Sequence, residues 1–358
     1  MILENIKYCY KDLSIVPCEM TSLESRKNVN PFINNGMLPI FASPMYSVTN
    51  KNNVQMWKDN KITPIVPRTV MWNDRYDFLM ASEWVAYSQK EFNNIFIDNY
   101  HKIAVKDSVF YVCIDTANAH RKSLYVMISK AKKIAKDNGY TLVVMVGNIA
   151  NPATYRWICE NAEVDYVRLG IGGGKGCITS TQTAVHYPMA SLISECKDIK
   201  NDIEEDRFEF HQYTKCLPYI VADGGIRTNS DIITALALGA DYVMCGSVLA
   251  SLDESAAQIE TDPETNHSTK LYFGMSTKKA QNLINAASEN PDPNFVAKTS
   301  EGTVKHLEMT GSVAKWIDNF TDYLRSAMIY TGCDDIEKFT NNVNLVVKSS
   351  ATTASINS

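Results

Sequence analysis

The stretch YIVADGGIRTNSDIITALALGADYVMCGS, residues 219–247, decides the fold because it contains a complete strand–helix–strand unit. Its two apolar runs, 219–225 and 241–247, have the length and composition of buried strands. Between them, 230–240 carries apolar residues at the three-to-four spacing of an amphipathic helix, and Ser230 is the expected N-terminal cap. This order predicts two parallel strands buried on both faces.

The same alternation extends toward the N-terminus. Further strands are predicted at 38–45, 62–68, 83–88, 109–116, 141–147 and 164–172, and further helices at 123–139 and 151–163. Eight such strands favour an α/β fold of the TIM-barrel type, (β/α)8, over an open doubly wound sheet. We therefore expect a single catalytic barrel over 1–345, followed by a Ser/Thr-rich, disordered tail over 346–358.

A long polar segment, from about 250 to 310, stands where the last helix of the barrel is expected. Long insertions in compact domains are usually functional lids or disordered stretches. The composition of this segment, rich in Pro, Asn and Asp, is equally compatible with a mobile flap after strand eight and with plain disorder.

Composition and charge exclude several kinds of partner. The formal net charge is −5, and no block of Lys and Arg is interleaved with aromatic residues, so no nucleic acid partner is expected. The apolar runs are too short to span a membrane and the N-terminus lacks the features of a signal peptide, which predicts a cytoplasmic protein. Nine cysteines without a CxxC pair predict free thiols.

Two glycine turns, DGG and CGS, follow the last two predicted strands. In a barrel these positions commonly bind a phosphate through backbone N–H groups. The alternative is that the glycines only form tight turns.

A third glycine-rich stretch, RLGIGGGKGCITS (168–180), has five glycines among the seven residues 170–176 and leads directly to Cys177. Because glycine permits a close backbone approach, we expect a ligand here and a cysteine nucleophile beside it. The alternative is a buried structural thiol.

Seven motifs together resemble, in order and spacing, the GMP reductase and IMP dehydrogenase family. They are DLSIVPCEMTSLESRKNV, ASPMYSVT, CIDTANAH, GIGGGKGCIT, ADGGIR with GADYVMCGS, LYFGMS and KTSEGT, and the resemblance covers about residues 8–333. It implies a purine nucleoside monophosphate substrate and a Cys177 thiolate that adds to C2 of the purine to give a thioimidate. In GMP reductases ammonia then leaves and NADPH reduces the intermediate to IMP. In IMP dehydrogenases IMP loses a hydride to NAD and the thioimidate is hydrolysed.

Three features favour the reductase. No regulatory pair of CBS modules fits between Arg68 and Glu83, and no Arg-Tyr dyad lies between Met275 and Glu301. The segment TSEG resembles the ASEG of GMP reductases, in which the glutamate and a threonine, here Glu301 and Thr179, move protons for the departing ammonia. The alternatives are an IMP dehydrogenase without CBS modules, an FMN-dependent oxidase barrel and a non-catalytic nucleotide-binding barrel.

The resemblance assigns further roles. Substrate-binding residues would be Ser43, Met45, Gly174, Lys175, Asp223, Gly224, Gly225, Gly246, Ser247, Gly274, Met275, Ser276, Lys298 and Gly302. Cofactor-binding residues would be Ser25, Arg26, Arg68, Thr69, Asp115, Thr116, Ala117, Ile171, Gly172 and Ser326, partly across the subunits of a homotetramer. The backbone carbonyls of Gly172, Gly174 and Cys177 would ligate a monovalent cation such as K⁺.

The sequence also departs from the family pattern near the ligands. Lys175 replaces a phosphate-binding serine, so its ammonium either pairs with the phosphate or points to water. Tyr46 replaces an aspartate, Lys298 an arginine and Thr303 a lysine. These changes leave two points open. One is how the NADPH 2′-phosphate is recognised, and the other is whether the substrate is a modified or deoxy nucleotide.

Overall fold

The computed structural model describes residues 6–209, 216–349 and 352. Its strands are β1 (Leu13–Ile15), β2 (Ile40–Ala42), β3 (Thr63–Pro64), β4 (Trp84–Tyr87), β5 (Val109–Asp115), β6 (Thr141–Ile149), β7 (Tyr166–Leu169), β8 (Tyr219–Asp223), β9 (Tyr242–Cys245), β10 (Ile259–Thr261), β11 (Ser268–Phe273), β12 (Val304–Glu308) and β13 (Leu345–Val347). The α-helices are α1 (Val54–Asp59), α2 (Trp72–Met80), α3 (Gln89–Asn93), α4 (Lys122–Asp137), α5 (Pro152–Asn161), α6 (Thr179–Thr183), α7 (Met189–Glu209), α8 (Asn229–Ala237), α9 (Ser247–Ala250), α10 (Lys278–Ala286), α11 (Val313–Thr331) and α12 (Ile336–Asn341).

Strands β2 to β9 form one parallel sheet that closes on itself. The spatial order is β3, β2, β9, β8, β7, β6, β5 and β4. The two end strands meet through a parallel bridge between Val66, just after β3, and Val85 in β4. Each of the eight predicted strands is present and helices alternate with them, so the predicted (β/α)8 barrel is confirmed. Only α2 lies between β3 and β4, which leaves no room there for an inserted module.

The predicted helices correspond to α4, α5 and α8, but the cap expected for α8 is wrong. Thr228, not Ser230, is its N-cap: the Thr228 hydroxyl accepts a hydrogen bond from the N–H of Asp231 (3.3 Å), and the Asp231 carboxylate accepts one from the N–H of Thr228 (2.9 Å). This reciprocal pair binds two N–H groups at the start of the helix, which Ser230, the second residue of the helix, cannot do.

The barrel interior is filled largely by aromatic side chains at its amino-terminal end. Phe41 in β2 packs edge-on against Trp84 in β4 and Tyr166 in β7, at centroid distances of 5.7 and 6.0 Å. Met145 and Met244 are buried in the same cluster. Because aromatic side chains fill this end, we expect a ligand to bind at the opposite rim.

The segment after β9 is a folded insertion rather than plain disorder. Strands β10, β11 and β12 form an antiparallel sheet, and α10 lies between β11 and β12. Helix α11 then completes the outer layer. We call residues 259–308 the flap.

A small sheet joins the two ends of the described chain. Strand β1 pairs antiparallel with β13, with Leu13 opposite Val347. Pairing therefore continues two residues beyond the predicted domain boundary at 345. Apart from Thr352, the rest of the predicted tail from residue 350 onward lies outside the described residues.

Candidate active site

A cleft of about 440 Å³ opens at the carboxyl ends of the barrel strands. Its volume falls within the usual range for ligand pockets, about 300–1,000 Å³. The predicted site residues that line it are Ser43, Met45, Arg68, Asp115, Thr116, Ala117, Ile171, Gly172, Gly174, Lys175, Cys177, Thr179, Asp223, Gly224, Gly225, Gly246, Ser247, Gly274, Met275, Ser276, Lys298 and Glu301. Residues from distant parts of the sequence thus share one cavity.

The glycine loop 170–176 packs against the DGG turn at a distance that side chains would prevent. Gly170 has φ +127°, and a Cβ atom there would lie 2.2 Å from the carbonyl oxygen of Asp223. The N–H of Gly225 donates to the carbonyl of Gly173 (3.0 Å), and the Arg227 guanidinium donates to the same oxygen (2.8 Å). The two predicted phosphate loops are therefore joined into one wall of the cleft.

Cys177 begins a chain of hydrogen bonds that ends on the flap. Its Sγ lies 3.2 Å from the hydroxyl of Thr179, and that hydroxyl lies 2.8 Å from a carboxylate oxygen of Glu301. The thiol is half-buried and Glu301 is exposed. A nucleophile, a hydroxyl and a carboxylate in this order form a path for proton transfer.

Backbone hydrogen bonds hold the flap against the Cys177 loop. The N–H of Ile178 donates to the carbonyl of Glu301 (2.9 Å), and the N–H of Thr303 donates to the carbonyl of Gly176 (2.8 Å). Gly302 forms an antiparallel bridge with Cys177. Gly302 itself does not line the cleft, and a Cβ atom on it would lie 3.1 Å from the carbonyl of Gly176.

Arg168 organises the floor of the cleft, and the sequence analysis missed it. It is 5% exposed, and its guanidinium donates to Asp223 (2.7 Å) and Asp115 (2.9 Å). Burial lowers the pKa of Arg168, but the carboxylate of Asp223 and then Asp115 outweigh burial and raise it. Asn148 donates to the same oxygen of Asp223 (2.8 Å). The signal available in the sequence was a charged residue inside an apolar strand.

Cys113 lies beneath this cluster. Its sulfur accepts a hydrogen bond from Arg168 (3.4 Å), and burial raises the pKa of Cys113 to about 12. This thiol is therefore protonated near neutral pH, unlike the thiolate that nucleophilic attack requires.

Tyr272 is a second residue that the sequence analysis missed. It lies on the flap strand β11 and is buried, its hydroxyl contacts the sulfur of Met45 (3.7 Å), and both residues line the cleft. Burial raises the pKa of Tyr272, so the hydroxyl keeps its proton and is available as a donor. Its sequence signal was its place within LYFGMS, next to the residues expected to read the purine.

Gln281, on α10, fixes the flap residue Lys298. The Lys298 N–H donates to the Gln281 side-chain oxygen (2.8 Å), and the Gln281 amide donates to the carbonyls of Ser276 (2.9 Å) and Lys298 (3.2 Å). The position of α10 therefore sets the position of the cleft wall next to Glu301.

Arg68 is held at the cleft edge by Glu91. The carboxylate of Glu91 lies 3.4 Å from Arg68 and accepts a hydrogen bond from the fully buried Arg75 (2.7 Å). Burial raises the pKa of Glu91, but Arg75 and then Arg68 outweigh burial and lower it.

Several predicted cofactor residues are not brought to this cleft. Ser25, Arg26 and Ser326 do not line it, and neither does Thr69. Arg26 instead lies 3.6 Å from Asp322 on α11, the helix that carries Ser326. Ser25, Arg26 and Ser326 therefore lie near α11, apart from the cleft.

Two of the three carbonyls predicted to bind a monovalent cation accept hydrogen bonds from residues after the glycine loop. The carbonyl of Gly172 accepts a hydrogen bond from the Ser180 hydroxyl (3.2 Å), and that of Gly174 accepts one from the N–H of Cys177 (3.0 Å). The cation site stays a prediction. Lys175 is exposed at the cleft rim and makes no ion pair with any described residue.

Comparison with known proteins matches residues 96–357 to the family model described as IMP dehydrogenase / GMP reductase domain. A GMP reductase of Vibrio parahaemolyticus is 26% identical over 363 residues, covering 96% of this chain and 95% of the relative. A GMP reductase of Yersinia enterocolitica is 26% identical over 245 residues, covering 68% of this chain and 63% of the relative.

The barrel, its cleft and these matches define an oxidoreductase of the (β/α)8 type. The chain belongs to the IMP dehydrogenase / GMP reductase family and is a GMP reductase-like member of it. In the part of the chain that the structure describes, no helix combines the length and apolar character needed to cross a membrane.

Proposed function

We propose that the protein catalyses the NADPH-dependent reductive deamination of GMP to IMP through a thioimidate on Cys177. The observation that carries this proposal is the chain of hydrogen bonds from Cys177 through Thr179 to Glu301. Hydride transfer alone needs no acid, whereas loss of ammonia needs a proton at the leaving nitrogen. Glu301, two hydrogen bonds from the nucleophile, can take the proton of the Cys177 thiol and pass it to that nitrogen.

The chemistry proceeds in two stages. The Cys177 thiol gives its proton through the Thr179 hydroxyl to the Glu301 carboxylate, and the sulfur forms a bond to C2 of the purine. The protonated Glu301 then returns that proton through Thr179 to the amino group, whose bond to C2 breaks as it leaves as ammonia. Hydride then adds to C2, the carbon–sulfur bond breaks, and the thiolate and IMP are released. One hydride is consumed for each ammonia released.

The nucleotide would lie along the joined glycine loops. We assign the phosphate to the rim formed by Gly225, Gly246 and Ser247, with Tyr272 as an additional donor. The carboxylate of Asp223 uses one oxygen for Arg168 and Asn148, which leaves the other oxygen to accept the ribose hydroxyls. Met275 and Ser276, on the flap side, would contact the purine edge.

The reduced nicotinamide cofactor supplies the hydride. The chemistry of the residues on the cleft floor fits such a group: Asp115 uses one oxygen to accept from Arg168, which leaves the other to accept from a carboxamide N–H. Thr116 and Ala117 continue this edge of the cleft. Ser25, Arg26 and Ser326, which lie elsewhere in the chain, would serve the cofactor of a neighbouring subunit in a homotetramer.

The test is an assay of purified protein with GMP and NADPH, followed by the loss of reduced-cofactor absorbance and by release of ammonia. Parallel reactions contain IMP with NAD, and dGMP in place of GMP. The proposal expects one ammonia released for each NADPH oxidised. Turnover of IMP with NAD and none of GMP would replace the proposal by the dehydrogenase alternative, and no turnover of either would favour a non-catalytic barrel.

A further inference from the structure

A second cavity, of about 230 Å³, lies outside the active-site cleft. Its walls come from α2, from the segment 94–103 after α3, and from the flap. The residues that line it are Trp72, Asn73, Tyr76, Asn94, Ile95, Asn99, Lys102, Ile103 and Glu289. None of these residues lines the active-site cleft, so we call this cavity the lateral pocket.

The lateral pocket is attached to the active site through the flap. Asn94 donates a hydrogen bond to the carboxylate of Glu289 (2.9 Å), three residues after the end of α10. The same helix carries Gln281, which fixes Lys298 at the cleft wall. A ligand that contacts Glu289 therefore binds three residues from the end of the helix whose Gln281 positions Lys298.

Among the described residues, several hydrogen-bond donors and acceptors of the lateral pocket have no partner. The Trp72 indole N–H, the Asn73 amide and the Lys102 ammonium have no hydrogen bond in the described part of the chain. Asn99 uses its amide N–H on Asn94 and keeps its side-chain oxygen free. The carboxylate of Glu289 accepts only from Asn94 and retains further lone pairs.

These groups select the class of ligand. One lysine and one glutamate cancel in charge, which favours a neutral molecule. Tyr76 and the part of the Trp72 ring that is not covered by Arg75 (5.3 Å) offer aromatic surfaces, while Ile95 and Ile103 are buried. Aromatic rings with carboxamides beside them are the usual means of stacking a nucleobase and reading its edge. The volume, about half that of the active-site cleft, suits one nucleoside rather than a dinucleotide.

Glu289 distinguishes between the two common purines. A carboxylate accepts two adjacent N–H groups, which the Watson–Crick edge of guanine presents as its ring N–H and its amino group. The same edge of adenine presents a ring nitrogen lone pair beside its amino group, and a carboxylate repels that lone pair.

We infer that the lateral pocket is a regulatory site for a guanine nucleoside, which acts on the active site by fixing α10. The inference that this site regulates the enzyme rests on the proposed function, because the substrate of the active site would be a related purine. The inference that the lateral pocket binds a guanine nucleoside does not, because other residues build this pocket.

The experiment measures binding of guanosine and adenosine to the full-length protein by calorimetry. Guanosine is expected to bind still when Asp223→Asn disables the active-site cleft. Asn73→Ala, at an exposed side chain without a hydrogen bond, should weaken guanosine binding by about tenfold or more. The matched control, Asn201→Ala on the exposed face of α7, should leave binding unchanged.

Glu289→Gln tests directly whether this side chain distinguishes guanine from adenine. A glutamine can donate to the ring nitrogen of adenine and accept from its amino group, so the ratio of guanosine to adenosine affinity should fall by about tenfold or more. Guanosine should also slow amide hydrogen exchange over 276–301 in the Asp223→Asn protein and not in the Asn73→Ala protein.

Three outcomes would overturn the inference. The first is that Asp223→Asn abolishes guanosine binding while Asn73→Ala leaves it intact. The second is that Glu289→Gln does not change the ratio of guanosine to adenosine affinity. The third is that guanosine does not bind at all. Unchanged exchange over 276–301 on saturation would refute the regulatory part. Because no arm requires turnover, failure of the proposed GMP reduction would be seen separately.

Discussion

Replacing Glu301 by glutamine tests the proton path with little change of shape. The Thr179 hydroxyl lies 2.8 Å from Glu301, and a glutamine oxygen can still accept that hydrogen bond. The backbone bond from Ile178 to the carbonyl of residue 301 is unaffected, so the flap stays attached. What the variant loses is the ability to exchange a proton.

Two explanations of a slower Glu301→Gln enzyme predict rate losses of different size. Exchanging a charged acceptor for a neutral one weakens a hydrogen bond by about 1 kcal/mol, which corresponds to roughly a fivefold loss of rate. Removing general acid–base catalysis costs about 10²- to 10⁴-fold, or roughly 3–5 kcal/mol in the activation barrier. We expect GMP reduction to show the larger loss.

The assay compares two partial reactions in single turnover. One is the GMP-dependent loss of NADPH absorbance, and the other is the burst of reduced cofactor formed from IMP before hydrolysis, which needs no leaving-group acid. The Glu301→Gln protein should lose the first and keep most of the second. Glu308→Gln, an exposed carboxylate on the same flap sheet, is the matched control. Equal losses in both partial reactions, or a loss of only about fivefold in GMP reduction, would refute the assignment of Glu301 as the acid.

Three other substitutions probe separate parts of the protein. Cys177→Ala should abolish turnover while GMP affinity stays within about tenfold, and retained turnover would contradict the covalent mechanism. Lys175→Ser should weaken GMP binding by roughly 1–2 kcal/mol and reduce its salt dependence if the ammonium pairs with phosphate, whereas unchanged binding at low salt would place Lys175 in solvent. Glu91→Ala should lower the free energy of unfolding in urea by about 3 kcal/mol at neutral pH, because Arg75 is left buried and unpaired. Since the pKa of Glu91 is lowered, this difference should shrink as pH falls below the ordinary value of 4.5, and a difference independent of pH would argue against the ion pair.

The barrel was predictable because its signal is local. Each strand from β2 to β9 is a short apolar run, and each run is followed by residues that suit a turn or a helix start. The pairing of β1 with β13 was not predictable, because it joins residues more than 300 positions apart whose side chains are only partly buried. The flap strands were missed for a similar reason: β10 and β12 are largely exposed and lack an apolar run.

The residues of the candidate site differ in the same way: some could be predicted from local sequence and others could not. Glycines and Cys177 were found because their order in the chain is unusual. Arg168 was missed because its role depends on two carboxylates, Asp115 and Asp223, that reach it from other strands. Sequence patterns describe neighbours along the chain, whereas this ion cluster exists only after the sheet has closed.

Few hydrogen bonds close the barrel between β3 and β4, at the bridge between Val66 and Val85. Strands β5 and β6 pair over seven residues, while β3 and β4 meet through the hydrogen bonds that a single residue, Val66, makes to Trp84 and Ala86. On heating, we expect the wall to part first along this line. Arg68 stands two residues beyond Val66 at the cleft edge, whereas the glycine loops lie across the barrel on β7 and β8. Local opening of the sheet on heating would therefore displace Arg68, in the proposed cofactor site, before it displaces the glycine loops of the proposed nucleotide site.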